Sequence, residues 1–258
     1  MMANKLKYKI YISVILLLLN VATPSYSQVS IRDSAISLHM FAAQYSMLWP
    51  GADMADRFGK ANVLGITYAY KLKSNFYGEL TYDYIWGNEV RENNILDKLE
   101  TSSGNIIDNQ GYLNPVSLEL RGFACFIGIG KIFPIIGPNP NSGLFFSLHG
   151  GFLQHKIDFS YLAKTIAQVR GDYAKGYDRL TNGWAIKENI GYMNLSNNNF
   201  LNWTLGLEFI QAFTQSRRDW NIDTRQKDTR KRLDLLNGFF IQIRIPLYKQ
   251  APETYYYN

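Results

Sequence analysis

Eight stretches of this chain alternate between large apolar residues and small or polar ones. The clearest interleaves Leu64, Ile66, Tyr68, Tyr70 and Leu72 with Val63, Gly65, Thr67, Ala69 and Lys71. A period of two places successive side chains on opposite faces of a β-strand. We predict that the apolar row faces outward and the polar row inward, the reverse of a soluble sheet.

The alternation predicts strands at about residues 37–49, 61–72, 76–86, 115–132, 144–157, 182–193, 200–213 and 234–247. Two of these strands leave open questions. The fourth becomes uniformly apolar around Cys125, which we expect to be a buried small side chain, so its facing cannot be assigned. In the sixth, Glu188 falls in the same row as Trp184 and Ile190, which requires either a bulge or a different register.

Connection lengths indicate the topology. The links after the second, fourth and sixth strands are short, whereas those after the odd strands are longer. Outer-membrane barrels have an even number of strands, short periplasmic turns and long extracellular loops. We therefore predict an all-β fold, an eight-stranded antiparallel up-and-down transmembrane β-barrel with both termini periplasmic. The alternative, a secreted β-sandwich, would expose several rows of large apolar side chains to water.

The first residues are typical of a secretory signal peptide. Lys5, Lys7 and Lys9 precede a short apolar run, and small residues stand before Gln28. The run is shorter than the roughly 20 residues of a spanning helix. The expected organisation is a signal peptide at 1–27, a periplasmic lead-in at 28–36, an outer-membrane barrel at 37–248 and a tyrosine-rich periplasmic tail at 249–258.

The predicted interior carries charge. An eight-stranded barrel is just wide enough for its inward side chains to fill it, and charges in such an interior must pair. The inward rows supply Glu79, Asp83, Glu119, Arg121, Lys187, Glu208 and Arg244. We expect a closed, self-paired lumen. A narrow porin or solute-binding channel is the alternative.

No catalytic set is evident in the sequence. His149 shares a strand face with Ser147, and His155 lies near Asp158 and Ser160, but neither spacing defines a reaction. No spacing of residues indicates a metal site. We predict a protein that is not an enzyme and needs no cofactor; a lipid-modifying barrel enzyme is the second alternative.

Two surface segments are candidates for binding. The loop after the seventh strand is rich in bases: Arg217, Arg218, Arg225, Lys227, Arg230, Lys231 and Arg232. Guanidinium groups bind phosphate well, so this loop could contact lipopolysaccharide or a protein partner; a solvated loop of mixed charge is the alternative. Tyr255, Tyr256 and Tyr257 could contact a periplasmic partner or lie in the membrane interface. The compartment excludes nucleic acid.

The chain resembles the small eight-stranded outer-membrane proteins of Bacteroidota. The resemblance rests on cleavage before Gln28, the turn at 137–143, the segments 152–157 and 214–218, and 245–249 with its Tyr-rich end. Such families include accessory barrels of envelope machines for type IX secretion and for outer-membrane protein assembly. The resemblance implies contact with outer-membrane lipid and a protein partner, as an accessory or stabilising subunit of a secretion or assembly complex.

Overall fold

The computed structural model describes residues 34–160, 166–196 and 202–247. The predicted signal peptide at 1–27 and the tail at 249–258, with Tyr255, Tyr256 and Tyr257, lie outside the described residues.

Eight long strands form a closed antiparallel barrel, and two short strands form a hairpin in one of its loops. In chain order the strands are β1 Leu38–Ala52, β2 Ala61–Lys71, β3 Phe76–Gly87, β4 Ile106–Ile107, β5 Leu113–Asn114, β6 Ser117–Phe133, β7 Gly143–Ser160, β8 Thr181–Asn194, β9 Trp203–Ser216 and β10 Lys231–Leu247. The barrel order is β1-β10-β9-β8-β7-β6-β3-β2, and pairing of β1 with β10 closes it. The prediction of an all-β, eight-stranded, up-and-down barrel is confirmed.

The two ends of the barrel differ. At the short-turn end, residues 72–75 and 134–142 connect the strands, and β1 begins and β10 ends there. At the long-loop end, the connections contain the β4–β5 hairpin, two single-turn 3₁₀ helices (Asn93–Ile95 and Ala167–Val169) and a four-residue helix α1, Gly171–Ala174. Among the described residues, no helix combines the length and apolar character needed to cross a membrane.

The barrel is apolar outside. Along β2 the outward side chains are exposed and the inward ones buried at every second residue, and Ile66 at its centre is 64% exposed. Aromatic side chains flank this belt: Tyr192 packs against Trp203 near the short-turn end, and Tyr84 against Trp86 near the long-loop end. Rows of large apolar side chains between two aromatic girdles are typical of a surface that faces hydrocarbon.

β6 differs from the prediction. Ala124 and Phe126 are buried, and Cys125 between them is exposed on the outer surface, so the expectation of a buried Cys125 is wrong. The inward row of β6 includes glycines that leave room for neighbouring rings: a Cβ at Gly128 would lie 2.1 Å from His149 Cδ2. Both rows of the strand therefore lack polar residues in its middle, which is why the pattern could not assign its facing.

β8 answers the second open question. Its pairing with β7 and β9 runs without interruption through Glu188, which lies opposite Leu148 and Phe209. The strand has no bulge at this position, and the carboxylate of Glu188 belongs to the outward row together with Trp184 and Ile190.

We expect Ile66→Arg to lower the free energy of unfolding in lipid bilayers by about 2–4 kcal/mol, because it places a cation in the middle of the apolar belt. Ile136→Arg is the control, since Ile136 is exposed in the turn at the short-turn end and should cost about 0–1 kcal/mol. Denaturant titration followed by heat-modifiable gel migration measures both. Equal effects of the two substitutions would contradict a lipid-facing belt.

Candidate functional site

Lys187 occupies the centre of the lumen. Its Nζ lies 2.8 Å from Asp83 Oδ2 on β3 and 2.8 Å from Glu208 Oε2 on β9. All three side chains are at most 1% exposed. Charges removed from water to this degree persist only in well-paired geometry, so the lysine and its two carboxylates act as one unit.

A second cluster adjoins Lys187 toward the short-turn end. Arg244 Nη2 lies 3.2 Å from Glu79 Oε1, and its Nε donates to Thr204 Oγ1 at 2.7 Å. The other oxygen of Glu79, Oε2, is 3.2 Å from His149 Nε2. His149 Nδ1 in turn lies 3.2 Å from the backbone oxygen of Lys187, which links this cluster to the first.

Two glutamines complete what we call the lumen network. Gln44 donates to Glu208 Oε2 at 2.8 Å, and Gln242 donates to Gln44 Oε1 at 2.6 Å. The oxygen of Gln242 accepts from Arg244 at 2.6 Å. The network comprises Glu79, Asp83, His149, Lys187, Glu208 and Arg244 with these two amides. Their inward positions follow from the alternation, but only the closed barrel brings them together.

Glu119 and Arg121 are not part of this network, contrary to the sequence-based expectation. Both lie on the outward row of β6, where Arg121 pairs with Glu119. They stand opposite Asp158 and Lys156 of β7, which pair with each other at 2.9 Å. The inward positions next to them are taken by Leu120 and Gly122, because the register of β6 is set by its buried Ala124 and Phe126.

Toward the long-loop end the lumen is filled mostly by apolar side chains, with the buried His155–Asp234 pair among them. We call this layer the plug; it consists of buried strand residues and of loop residues that fold over them. Its members include Leu48, Met54, Phe58, Val63, Ile85, Ile95, Leu96, Ile106, Leu120, Leu153, Ile157 and Leu236. The inward rows are mostly apolar in this half, because the long loops supply an apolar surface that these rows must match.

The short-turn end is closed by hydrogen bonds. The buried Lys71 donates from Nζ to Asn141 Oδ1 at 2.8 Å and to the backbone oxygen of Ile36 at 3.0 Å. Asn141 also receives the backbone N–H of Ile36 at 3.0 Å. The turn between β6 and β7 and the segment before β1 thus cover the end of the lumen below the network.

Four long loops meet in one ionic cluster, which we call the loop clasp. Arg179 before β8 binds Asp223 of the β9–β10 loop through two nitrogens, at 2.8 and 2.6 Å. Its Nε lies 2.8 Å from Glu92 of the β3–β4 loop. Arg57 of the β1–β2 loop lies 3.2 Å from the other oxygen of Glu92. Each loop contributes one member, and nothing in the sequence pattern indicates this convergence.

Charge pairing in the clasp changes its ionisation. Burial alone would raise the pKa of Asp223, but the hydrogen bonds and charge of Arg179 hold this pKa below its ordinary value. Burial would lower the pKa of Arg179, whereas its hydrogen bonds to Asp223 and Glu92 raise this pKa above its ordinary value. The Arg179–Asp223 pair is therefore charged at neutral pH.

The basic loop is mostly paired within the protein. The ion pairs are Arg218 with Asp178, Lys227 with Asp219, Arg230 with Asp53, and Arg232 with Asp228; Arg217 donates to the amide of Asn182. Within the part of the chain that the structure describes, Arg225 and Lys231 have no ion-pair partner. Only a few of the seven bases are therefore available to an anion without breaking an internal pair.

The candidate catalytic residues are not assembled. His155 is fully buried, with Nε2 2.9 Å from Asp234 Oδ2, and its ring packs edge-on against Phe58. Asp158 points outward to Lys156, and Ser160 is exposed at the end of β7. His39 lies on the outer surface against Tyr68. In residues 34–160, 166–196 and 202–247, no group of three His, Cys, Asp or Glu side chains is arranged to hold a metal.

No protein-family model matches the chain, and no curated protein matches it in sequence. Solved structures of similar shape include Neisserial surface protein A, with 8% identity and a TM-score of 0.44 over 80% of this chain and 96% of that one. Ail, the attachment invasion locus protein of Yersinia pestis, has 8% identity and a TM-score of 0.42 over 81% of this chain and 98% of its own. Likeness at this level carries no information about ligands or partners.

We expect Lys187→Met to destabilise the barrel by about 3–5 kcal/mol, because it leaves Asp83 and Glu208 without a cation in a buried site. Lys156→Met is the matched control, since it breaks an exposed pair with Asp158 and should cost less than about 1 kcal/mol. Denaturant midpoints in bilayers measure both variants. A Lys187→Met protein as stable as the control would show that the carboxylates of the lumen do not depend on Lys187.

The loop clasp should loosen at acid pH. Because the pKa of Asp223 is lower in the folded protein, its contribution to stability is complete above about pH 4 and is lost as the pH falls through the lowered value. A nitroxide spin label at the exposed Thr224 should gain mobility over this range. Asp223→Asn is the control and should give a mobile label at every pH; an unchanged acid transition in that variant would contradict the assignment.

Proposed function

We propose that the protein is an integral outer-membrane barrel that acts by binding, as an accessory or stabilising subunit of a secretion or outer-membrane protein assembly complex. The first support is its outer surface, where apolar rows between aromatic girdles match the requirements of hydrocarbon. In this orientation the short-turn end is periplasmic and the long loops, with the clasp, are extracellular.

The observation that carries the proposal is the filled lumen. Three layers lie along its axis: the Lys71–Asn141 closure, the lumen network and the plug. A conducting channel needs a continuous polar path, whereas here buried apolar side chains follow the charged layer. This arrangement favours a protein that acts by binding through its outer surface and loops rather than by conducting through its lumen.

A binding role also agrees with where the polar side chains that could contact a ligand lie. The buried His155 is engaged by Asp234 beneath Phe58, which leaves it no route to a substrate. The outer charges, by contrast, are accessible: Arg225 and Lys231 remain available to lipopolysaccharide phosphates or to an acidic partner. We further propose that the tyrosine-rich tail, Tyr255 to Tyr257, contacts a periplasmic partner.

Gentle-detergent purification of the full chain from its native membrane, followed by mass spectrometry, tests the proposal. We expect stoichiometric recovery with a membrane complex, and weaker recovery after deletion of residues 251–258 with an unchanged heat-modifiable barrel. Recovery as a lone monomer with the tail intact would refute the subunit role. Unitary conductance in planar bilayers that changes in Arg244→Gln would instead support a narrow channel.

A further inference from the structure

Glu188 is a carboxylate in the middle of the apolar belt. It lies four residues from Trp184 and four from Tyr192 on the outward row of β8, about 13 Å along the strand from each. Among the described residues it has no hydrogen-bond or ion-pair partner. Its position is therefore near the middle of the hydrocarbon layer.

The surface around Glu188 contains a notch. Gly150 lies on the outward row of β7, and a Cβ built there would meet no atom within 4 Å. The resulting depression has a volume of about 600 Å³ and is lined by Ile127, Ile129, Leu148, Ile186 and Glu188. The acidic side chain thus forms one wall of an otherwise apolar recess.

Raised side chains border this notch: Ile127 and Ile129 line it, and Trp184 lies two residues from the lining residue Ile186 on β8. Ile127, Ile129 and Trp184 are 70%, 69% and 77% exposed, the highest values among the large apolar residues of the described barrel strands. Large side chains around a glycine make this surface uneven, with a hollow at the glycine. Lipid chains cover such a surface poorly, whereas a packed protein segment fills it.

Lipid cannot satisfy the carboxylate. Acyl chains donate no hydrogen bond, and charged side chains on the lipid face are rare and destabilising at mid-depth. Two cations of the described outward rows stand instead at the girdles: Lys131 lies over the ring of Phe76, and Arg121 lies opposite Trp86. Glu188 therefore needs a donor that comes from outside this chain.

A second copy of the chain is a poor source of that donor. If the same face packed on itself, two Glu188 carboxylates would approach each other in a medium of low dielectric constant. Gln211, diagonal to Glu188 on β9, offers an amide donor, but an amide does not neutralise a carboxylate. Charge complementarity points instead to a different protein with a cation at the same depth.

We propose that the β6–β8 face around Gly150 and Glu188 docks a membrane-spanning segment of a partner protein, whose lysine or arginine pairs with Glu188 within the membrane. This inference rests on the proposed function and specifies which side of the barrel the complex contacts. Apolar side chains of the partner fill the notch, and the ion pair fixes the depth of the contact.

In-cell photocrosslinking tests the contact. A benzoylphenylalanine replaces Ile186 beside the notch, and in a control it replaces Ile66 on β2, the strand diametrically opposite β8 in the barrel. We expect irradiation at position 186 to give one heterologous adduct that position 66 does not give. Glu188→Leu should reduce its yield at least tenfold, and Glu188→Gln should give an intermediate yield.

The adduct must also identify the donor. Mapping by mass spectrometry should place the crosslink in a membrane-spanning segment next to a lysine or arginine. Changing that residue to glutamate should abolish the adduct, and Glu188→Lys should restore it. The purified barrel alone should unfold at a higher denaturant concentration with Glu188→Leu than without it, because the variant removes an unpaired acid from lipid.

Three results would overturn this inference: an adduct at position 186 whose yield does not depend on Glu188, an adduct with a second copy of the chain, or no adduct at that position. If the complex still co-purifies in gentle detergent in any of these cases, the subunit role stands and the contact lies elsewhere. If the full chain is recovered alone, the proposed function fails as well.

Discussion

The burial of Lys187 between Asp83 and Glu208 is the interaction on which the rest of the barrel depends. Three strands must be in register for these atoms to meet, and a slip of one residue would turn the charged row toward lipid and the apolar row into the lumen. The apolar belt favours the arrangement with apolar rows outward and polar rows inward, and the pairing of Lys187 enforces it. Arg244 and Glu79 impose the same condition on β10 and β3, two strands that are not neighbours in the barrel and that this ion pair joins across the lumen.

The interior is layered along the axis. Water-soluble proteins keep apolar side chains inside, and this barrel does so beneath its long loops, where the plug is covered by folded chain, and again toward the short-turn end, where Met40, Ile132 and Phe145 are buried. The charged layer lies deeper, where the outer surface meets hydrocarbon on every side. Because side chains fill the lumen, we expect the sites of interaction on the loops, on the tail and on the side of the barrel. Glu188 is the clearest of these sites because it is a charged residue between apolar neighbours on the outward row of β8.

The sequence was sufficient for most of the barrel, because the alternation of residues is a local property. It predicts the strands and the facing of β2 and β3, where polar and apolar residues differ sharply. It fails on β6, where an inward row of small and apolar residues resembles the outward row, and this ambiguity led to the wrong placement of Glu119 and Arg121. At Glu188 the pattern was correct, but a charge in an apolar row suggested an irregular strand. The loop clasp was not predictable, since its members are far apart in sequence and have no periodicity.

The loop clasp constrains how the sequences of the four long loops can evolve. Arg179 holds acids from two other loops, and Glu92 in turn holds a base from a fourth. Surface loops usually diversify independently, but here a substitution of one clasp residue alters the charge balance of the other three loops. We therefore expect the four loops to vary as a group, with compensating substitutions at these positions and free variation elsewhere in the same loops.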